Sequence, residues 1–342
     1  MARADEPPPE LPPPADATPP PDDATAPVEP TAAVPAEIEP PKVDPPPPPP
    51  AAPSPKPPAP PYSLPWSLRP AILANAVRID TAFAFWTRTT ATPTSTTTMS
   101  GTTIASTLTA SYKASRNFGP LVRLAFVDDS ASGQALVNPV FGLLYTPELV
   151  TGLRLPLFLG VAAPMGSGGG SSDDPKKPKD KPAGNAAAAA GVSARSSMDN
   201  MLFGVNYVTV VFGAGLAYIA HGFTLQGEAA VFELVRNRGE AYEADVRRTN
   251  LTTGVHVGYT PFKQLTFSVE LRYQRWLTTP AAVTADPTKR DQLTVGGGIR
   301  TRIDLVPDKV SLRPGIAYFN PLDDPMLGSG YRVVVVDVPV VF

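Results

Sequence analysis

The sequence predicts an all-β protein: an antiparallel up-and-down transmembrane β-barrel of about twelve strands, led by a disordered proline-rich tail. Three observations carry that reading. Twelve segments alternate apolar and polar residues with a period of two, which is the register of strands and not of helices. Their connections alternate between short turns, near residues 115, 147, 221, 262 and 307, and longer loops, near 95, 131, 180, 240, 283 and 325. Short turns at one end and long loops at the other mark a wall of hairpins crossing a membrane. No stretch is apolar over the roughly 20 residues that a spanning helix needs, whereas a spanning strand needs only about 9–11.

The composition divides the chain. Of 45 prolines, 26 lie in residues 1–61, a stretch with ten acidic and three basic residues. Residues 62–342 carry 26 basic and 21 acidic residues, so the overall net charge of −2 hides an acidic tail and a basic body. Proline, alanine and acid cannot bury enough apolar area to fold, so residues 1–61 are expected to form a polyproline II spacer, at most roughly 190 Å long. Ala2-Arg3-Ala4 has the small-x-small form that precedes signal cleavage. There is no cysteine, which rules out a disulfide scaffold and thiolate metal sites.

Tyr62 and Trp66, set among prolines, read as an amphipathic anchor at a membrane interface. The first strand, 75–87, puts Val77, Ile79, Phe83 and Phe85 outward and Arg78, Asp80, Ala82 and Ala84 inward. A Thr/Ser-rich loop, 89–100, leads to strand 103–113 and then to 121–127, where Arg123 opposes Val122, Leu124 and Phe126. In 137–145, Val137, Phe141, Leu143 and Tyr145 are expected outward, and in 153–161 every second residue is Leu or Val. Residues 165–200 form the longest insertion, an external Gly-Ser, charged and alanine-rich loop with one short helical turn expected at 186–190. Strands 209–220 and 223–235 meet across His221-Gly222, a two-residue hairpin. Strands 248–259, 265–276, 292–303 and 310–319 follow, and 265–276 is the cleanest: Leu265, Phe267, Val269, Leu271 and Tyr273 alternate with Thr266, Ser268, Glu270, Arg272 and Gln274. Trp86, Tyr112, Tyr145, Tyr218, Tyr259, Tyr273, Trp276 and Tyr318 are expected to form interfacial girdles on the outer face.

The last strand, 331–342, sets Val334, Val336, Val338, Val340 and Phe342 on one face and ends the sequence on an aromatic residue. It resembles the closing strand of a Gram-negative outer-membrane β-barrel. A soluble sandwich also alternates, but its apolar face would be the packed interior, and here the polar face carries the paired charges. A finer resemblance lies in Asn138-Pro139-Val140-Phe141-Gly142-Leu143-Leu144-Tyr145 and Ala163-Pro164-Met165-Gly166, which are similar to outer-membrane transporters of the phenol meta-pathway type. Asn138 stands where those proteins have Asp, and Met165 replaces their Thr. The resemblance implies uptake of small hydrophobic or aromatic compounds.

On this register the inward charges are Arg78, Lys113, Arg123, Arg154, Arg248, Arg272, Arg300, Arg302 and Arg313 against Asp80, Glu228, Glu270 and Asp337. Such a lining either selects anions or braces and partly fills the pore. His256 falls on the inner face, and a hydrolase would need a serine within its reach at the wall. Asn320, Asp323 and Asp324 offer oxygen ligands in one short acidic loop, which reads as a solvated turn, so no metal or cofactor is expected. The expected function is a passive outer-membrane channel or transporter for small molecules, not an enzyme, with lipid around its wall. Residues 1–61 would reach a periplasmic protein or peptidoglycan, both termini being periplasmic, and no nucleic-acid partner is expected. The alternative is a scaffold barrel with a plugged lumen. The channel reading expects open lumen at Gly254, Gly258, Gly296 and Gly298.

Overall fold

The computed structural model describes residues 61–92, 95–169, 183–196, 199–240, 242–307 and 309–342. The reading of residues 1–60 as a disordered spacer lies outside them. Twelve strands form the wall. The first three are β1 (Ala76–Thr92), β2 (Ser95–Ser111) and β3 (Phe118–Asp129). Next come β4, in the pieces Gly133–Leu136, Val140–Tyr145 and Glu148–Val150, and β5, in Leu153–Arg154 and Leu157–Ala162. After helices α1 (Ala183–Ala194) and α2 (Asn200–Phe203) come β6 (Tyr207–Ala220), β7 (Phe223–Arg236), β8 (Arg247–Phe262) and β9 (Leu265–Trp276). A short helix α3 (Ala281–Ala285) precedes β10 (Asp291–Thr301 and Ile303–Val306), β11 (Val310–Leu312 and Gly315–Pro321) and β12 (Arg332–Val341). Each strand pairs antiparallel with its sequence neighbours, and β12 pairs with β1 from Ala76 opposite Val341 to Phe85 opposite Arg332, so the barrel closes.

Three strands are broken where a proline sits. Pro139, Pro156 and Pro314 have no N–H for the ladder and interrupt β4, β5 and β11. Their carbonyls still accept from the neighbouring strand: Ala163 N–H on Pro139 at 3.0 Å, Gly215 on Pro156 at 2.8 Å and Thr301 on Pro314 at 2.8 Å. The break at Pro139 also shifts the phase of β4, so Val137, expected outward, is buried inside along with Asn138. The His221-Gly222 hairpin forms as read, with positive φ of 52° and 83°, the primed-turn geometry that matches strand twist.

The outer face is an apolar belt. Ile79, Phe85, Phe212, Leu225, Val269 and Leu271 are all exposed, as are Tyr112, Tyr145, Tyr218, Tyr259 and Tyr318. So much contiguous exposed apolar surface does not persist in water, whereas a lipid environment accepts it. An even-stranded closed barrel, apolar outside and polar inside, is the architecture of bacterial outer-membrane proteins. Two expected girdle members belong elsewhere. Trp86 points inward and donates its indole N–H to Thr103 Oγ1 at 3.1 Å, and Trp276 packs, partly buried, on the interior. The loop expected at 89–100 is mostly a long β1–β2 hairpin, and that near 131 is a tight turn on Asp129, whose carboxylate accepts from Ser132 N–H at 2.9 Å. A guanidinium at the middle of the belt tests this wall: Leu271→Arg should cost about 2–4 kcal/mol in a reversible unfolding titration in lipid vesicles, the range for a basic residue at the bilayer midplane.

Candidate functional site: a lumen closed from both ends

The residues that precede β1 do not anchor at the interface. Residues 61–75 turn back into the barrel from the mouth that carries the short turns, where Phe342 N–H donates to Asn75 O at 2.9 Å. Pro61, Pro65 and Pro70 keep this hook from joining a sheet, so its peptide groups need partners inside the lumen. Inward-facing side chains of the wall supply them.

Glu270, fully buried on β9, accepts from the backbone N–H of Trp66 at 2.7 Å, of Ser67 at 3.1 Å and of Leu68 at 3.4 Å. Three successive amides cupping one carboxylate form an anion nest. Glu228 on β7 does the same for the next residue, accepting from Arg69 N–H at 3.0 Å and from its guanidinium. The carbonyls are clamped from the other side: Arg78 donates to Pro65 O at 3.0 Å and to Trp66 O, Arg300 to Leu64 O, and Gln226 Nε2 to Arg69 O at 2.6 Å. Asp337 on β12 holds both arginines, accepting from Arg78 Nε at 2.9 Å and from Arg300.

Side chains of the hook fill notches in the wall. Trp66 is 1% exposed, donates to Ser268 Oγ at 2.9 Å and lies under the Arg300 guanidinium at 4.1 Å. A Cβ on Gly298 or Gly315 would stand 2.7 Å from its ring. Likewise a Cβ on Gly258 would meet Ser63 Oγ at 2.1 Å, and one on Gly254 would meet Leu68 at 2.5 Å. Gly296 is covered by Phe319. The lumen glycines expected to be open are therefore occupied.

The second closure comes from the loop side. The alanine run read as one helical turn in an external loop extends to the twelve residues of α1, consistent with alanine's high helix propensity. Gly191 lets it approach closely, since a Cβ there would lie 2.6 Å from both Phe203 and Val127. Just past its end, Arg195 is 4% exposed and bridges Asp80 on β1 and Asp199, the latter at 3.2 Å. Asp199 also accepts two bonds from Arg123 on β3, at 3.0 and 3.1 Å. Burial alone would raise the Asp199 carboxyl, but Arg123 and Arg195 hold it well below the usual carboxylate range. The inserted part of 165–200 is thus tied into the lumen and is not a loop lying free outside.

The remaining sequence-predicted residues divide. Arg272 is buried beside Glu270 at 3.9 Å and lies over the Phe319 ring at 3.9 Å, while its Nε and Nη2 have no hydrogen-bond partner. Arg248 pairs with Glu243 and Asp245 near the loop-side mouth, and Arg154 with Glu148 at 3.0 Å. Arg302 sits at the turn-side rim against Asp304 at 2.6 Å, Arg313 lies near it, and Lys113 is exposed in a turn, outside the lumen. Asp323 accepts from Gln292 and from Leu293 N–H at 2.7 Å, so its oxygens serve the loop. The register did not find Arg69, Arg195 or Asp199, which lie outside the strands.

His256 has a serine partner, though not at the wall. Ser63 Oγ lies 3.0 Å from His256 Nε2, both residues are fully buried, and His256 Nδ1 has no partner. A nucleophilic serine needs its base oriented by a third group and open to substrate. Glu270, the residue opposite on β9, spends its oxygens on the hook amides. The pair serves as a hydrogen bond that seats the hook.

Two tests follow from this geometry. Glu270→Gln should release the hook by about 1.5–3 kcal/mol, the worth of hydrogen bonds to a charged group, seen as faster amide exchange at 66–69 while the strand amides stay protected. Unchanged protection there would refute the clamp. Asp199, depressed when docked, stabilises the insertion above the ordinary carboxylate pKa and loses this only as pH falls through its much lower docked value. Protease resistance of the α1–α2 region should therefore be the same at pH 7 and at pH 5, and decline only in stronger acid.

No family model and no curated protein sequence matches the chain. Among solved structures it is similar to an outer membrane channel from Pseudomonas putida F1, at 10% identity and a TM-score of 0.49, covering 82% of this chain and 100% of that one. The NanC porin follows at 8% and 0.44, covering 78% and 98%. The KdgM porin stands at 9% and 0.41, covering 77% and 99%. The assignment to the outer membrane rests on the closed wall and its apolar belt.

Proposed function

We propose that the protein is a passive outer-membrane channel or transporter for small molecules, closed in this conformation by its own two inserted segments. One observation carries the reading. A cavity of 680 Å³ opens at the loop-side mouth and one of 270 Å³ at the turn-side mouth, with the Arg195–Asp80 and Asp199–Arg123 pairs between them. Ion pairs of this kind rearrange by exchanging partners, while Trp66, Ala187, Met201 and Phe203, packed in one buried apolar cluster with the wall, must be drawn away for the lumen to open.

Residues 1–60 run covalently into the hook, so a partner holding the tail would act directly on residues 62–69. On this reading the tail is a tether on the periplasmic side, to peptidoglycan or a periplasmic protein, and the plug is its load. The filling of Gly254, Gly258 and Gly298 by the hook favours a second reading, a permanently plugged scaffold barrel that presents its tail and loops to a partner.

Conductance of the full chain in a planar bilayer separates the two. The wild type should give brief, rare openings, and Glu270→Gln or Arg195→Gln should raise the open fraction by about tenfold or more, as expected from losing about 1.4 kcal/mol or more of closure. Silence from every variant of a demonstrably folded barrel would exclude the channel and leave the scaffold.

A further inference from the structure

The turn-side cavity has a chemistry of its own. Its rim brings together Lys263, from the β8–β9 turn, Arg302, from the step within β10, and Arg313, from the break in β11 before Pro314. Among the described residues one carboxylate serves two of the three: Asp304 pairs with Arg302 at 2.6 Å and with Lys263 at 3.7 Å. Arg313 has no acidic partner among the described residues, and its only side-chain bond is from Nε to Ser311 Oγ at 3.4 Å. The fork of its guanidinium, built for two parallel bonds to an oxyanion, is left for a ligand.

Deeper in, apolar side chains join the lining, beside the paired charges of Asp80, Arg123 and Arg195. Leu64, Leu68, Ile72 and Leu73 from the hook face Leu121 and Phe158 from the wall. Arg69 stacks over the Phe158 ring at 4.2 Å and is neutralised by Glu228. The volume of 270 Å³ exceeds the cavity of about 150 Å³ that binds benzene in an engineered protein, leaving room for one ring and a short chain. A site with basic groups at its mouth and an apolar patch within discriminates against ligands that have only one of the two features.

We infer that this cavity binds small amphiphilic carboxylates, with the carboxylate on Arg313 and its cationic neighbours and the hydrocarbon end toward Leu68, Leu121 and Phe158. The inference deepens the transport reading by naming a class of cargo, and it is tested apart from it. Isothermal titration of the folded full chain in detergent would use 3-phenylpropionate, with 3-phenylpropionamide lacking the charge and acetate lacking the ring. The acid should bind saturably and at least tenfold more tightly than either control. Arg313→Gln should weaken it at least tenfold and Lys263→Gln severalfold, whereas Arg116→Gln, which removes an equal charge from the exposed β2–β3 turn outside the cavity lining, should leave it unchanged. If Arg313→Gln fails to fold, the Lys263 variant and the two control ligands decide. Equal binding of the acid and the amide, equal binding of acetate, no binding of the acid, or full affinity in the folded Arg313 variant would each overturn the assignment. A silent barrel that binds the acid would sink transport and keep the site; a conducting barrel that does not would do the reverse.

Discussion

The carboxylate of Glu270 inside the barrel is the interaction on which the rest depends. A closed wall satisfies its own backbone, but an irregular segment brought inside it has no sheet to join. Every peptide group of the hook must then bond to a side chain or remain costly. Glu270 meets three consecutive amides at once, and its charge strengthens each bond beyond a neutral one. Burying that carboxylate in turn requires compensation, which the nest supplies and Arg272 supplements at 3.9 Å. Hook and wall are therefore mutually conditional: neither the acid nor the proline-broken peptide would be tolerated in the lumen without the other.

The same reciprocity explains which parts were legible in the sequence. The wall was readable because lipid outside and water or polar groups inside impose a period of two on every strand, as in Leu265–Trp276. The pattern breaks at Val137, where Pro139 shifts the phase, and at Trp86 and Trp276, whose aromatic rings serve the interior and not the interface. The hook was misplaced for a related reason. Tyr62 and Trp66 among prolines look the same by composition whether they float at a membrane surface or sit under Arg300. One signal did point inward: the inner face carries large cut-outs at Gly254, Gly258 and Gly298, and glycines inside a strand often mark close approach by another backbone or group.

The insertion was hidden differently. Arg195 and Asp199 have no strand register, so their partners on β1 and β3, Asp80 and Arg123, could be assigned an inward direction but no companion. Inward charge counted along strands alone gives an excess of arginine, as though the lumen were a bare cationic ring. With the inserted segments included, Arg78, Arg123 and Arg300 are spoken for by Asp199, Asp337 and the hook carbonyls, and Arg154, Arg248 and Arg302 by acids near the mouths. Among the described residues, the excess that survives is local, at the rim around Arg313, where chain geometry brings three cations to one acid.

Ion pairs that seal a pore differ from a hydrophobic core in what they contribute. Replacing such a network by apolar residues is often neutral or stabilising, so its retention argues for specificity and not for stability. In this lumen the specificity is positional. Asp80 and Glu270 each hold an inserted element directly, and Asp337, on a third strand, holds the wall arginines Arg78 and Arg300 that clamp the hook carbonyls. The twelve strands close their ladders on one another, and the inserted segment adds to the wall at β4, where Asn138 N–H donates to Leu202 O at 3.0 Å and Ser167 N–H to Leu136 O at 2.7 Å. On the channel reading, opening must break the side-chain contacts of Asp80 and Glu270 while the ladders stay paired, so the same carboxylates that make hook and wall depend on each other set what it costs to move the plug.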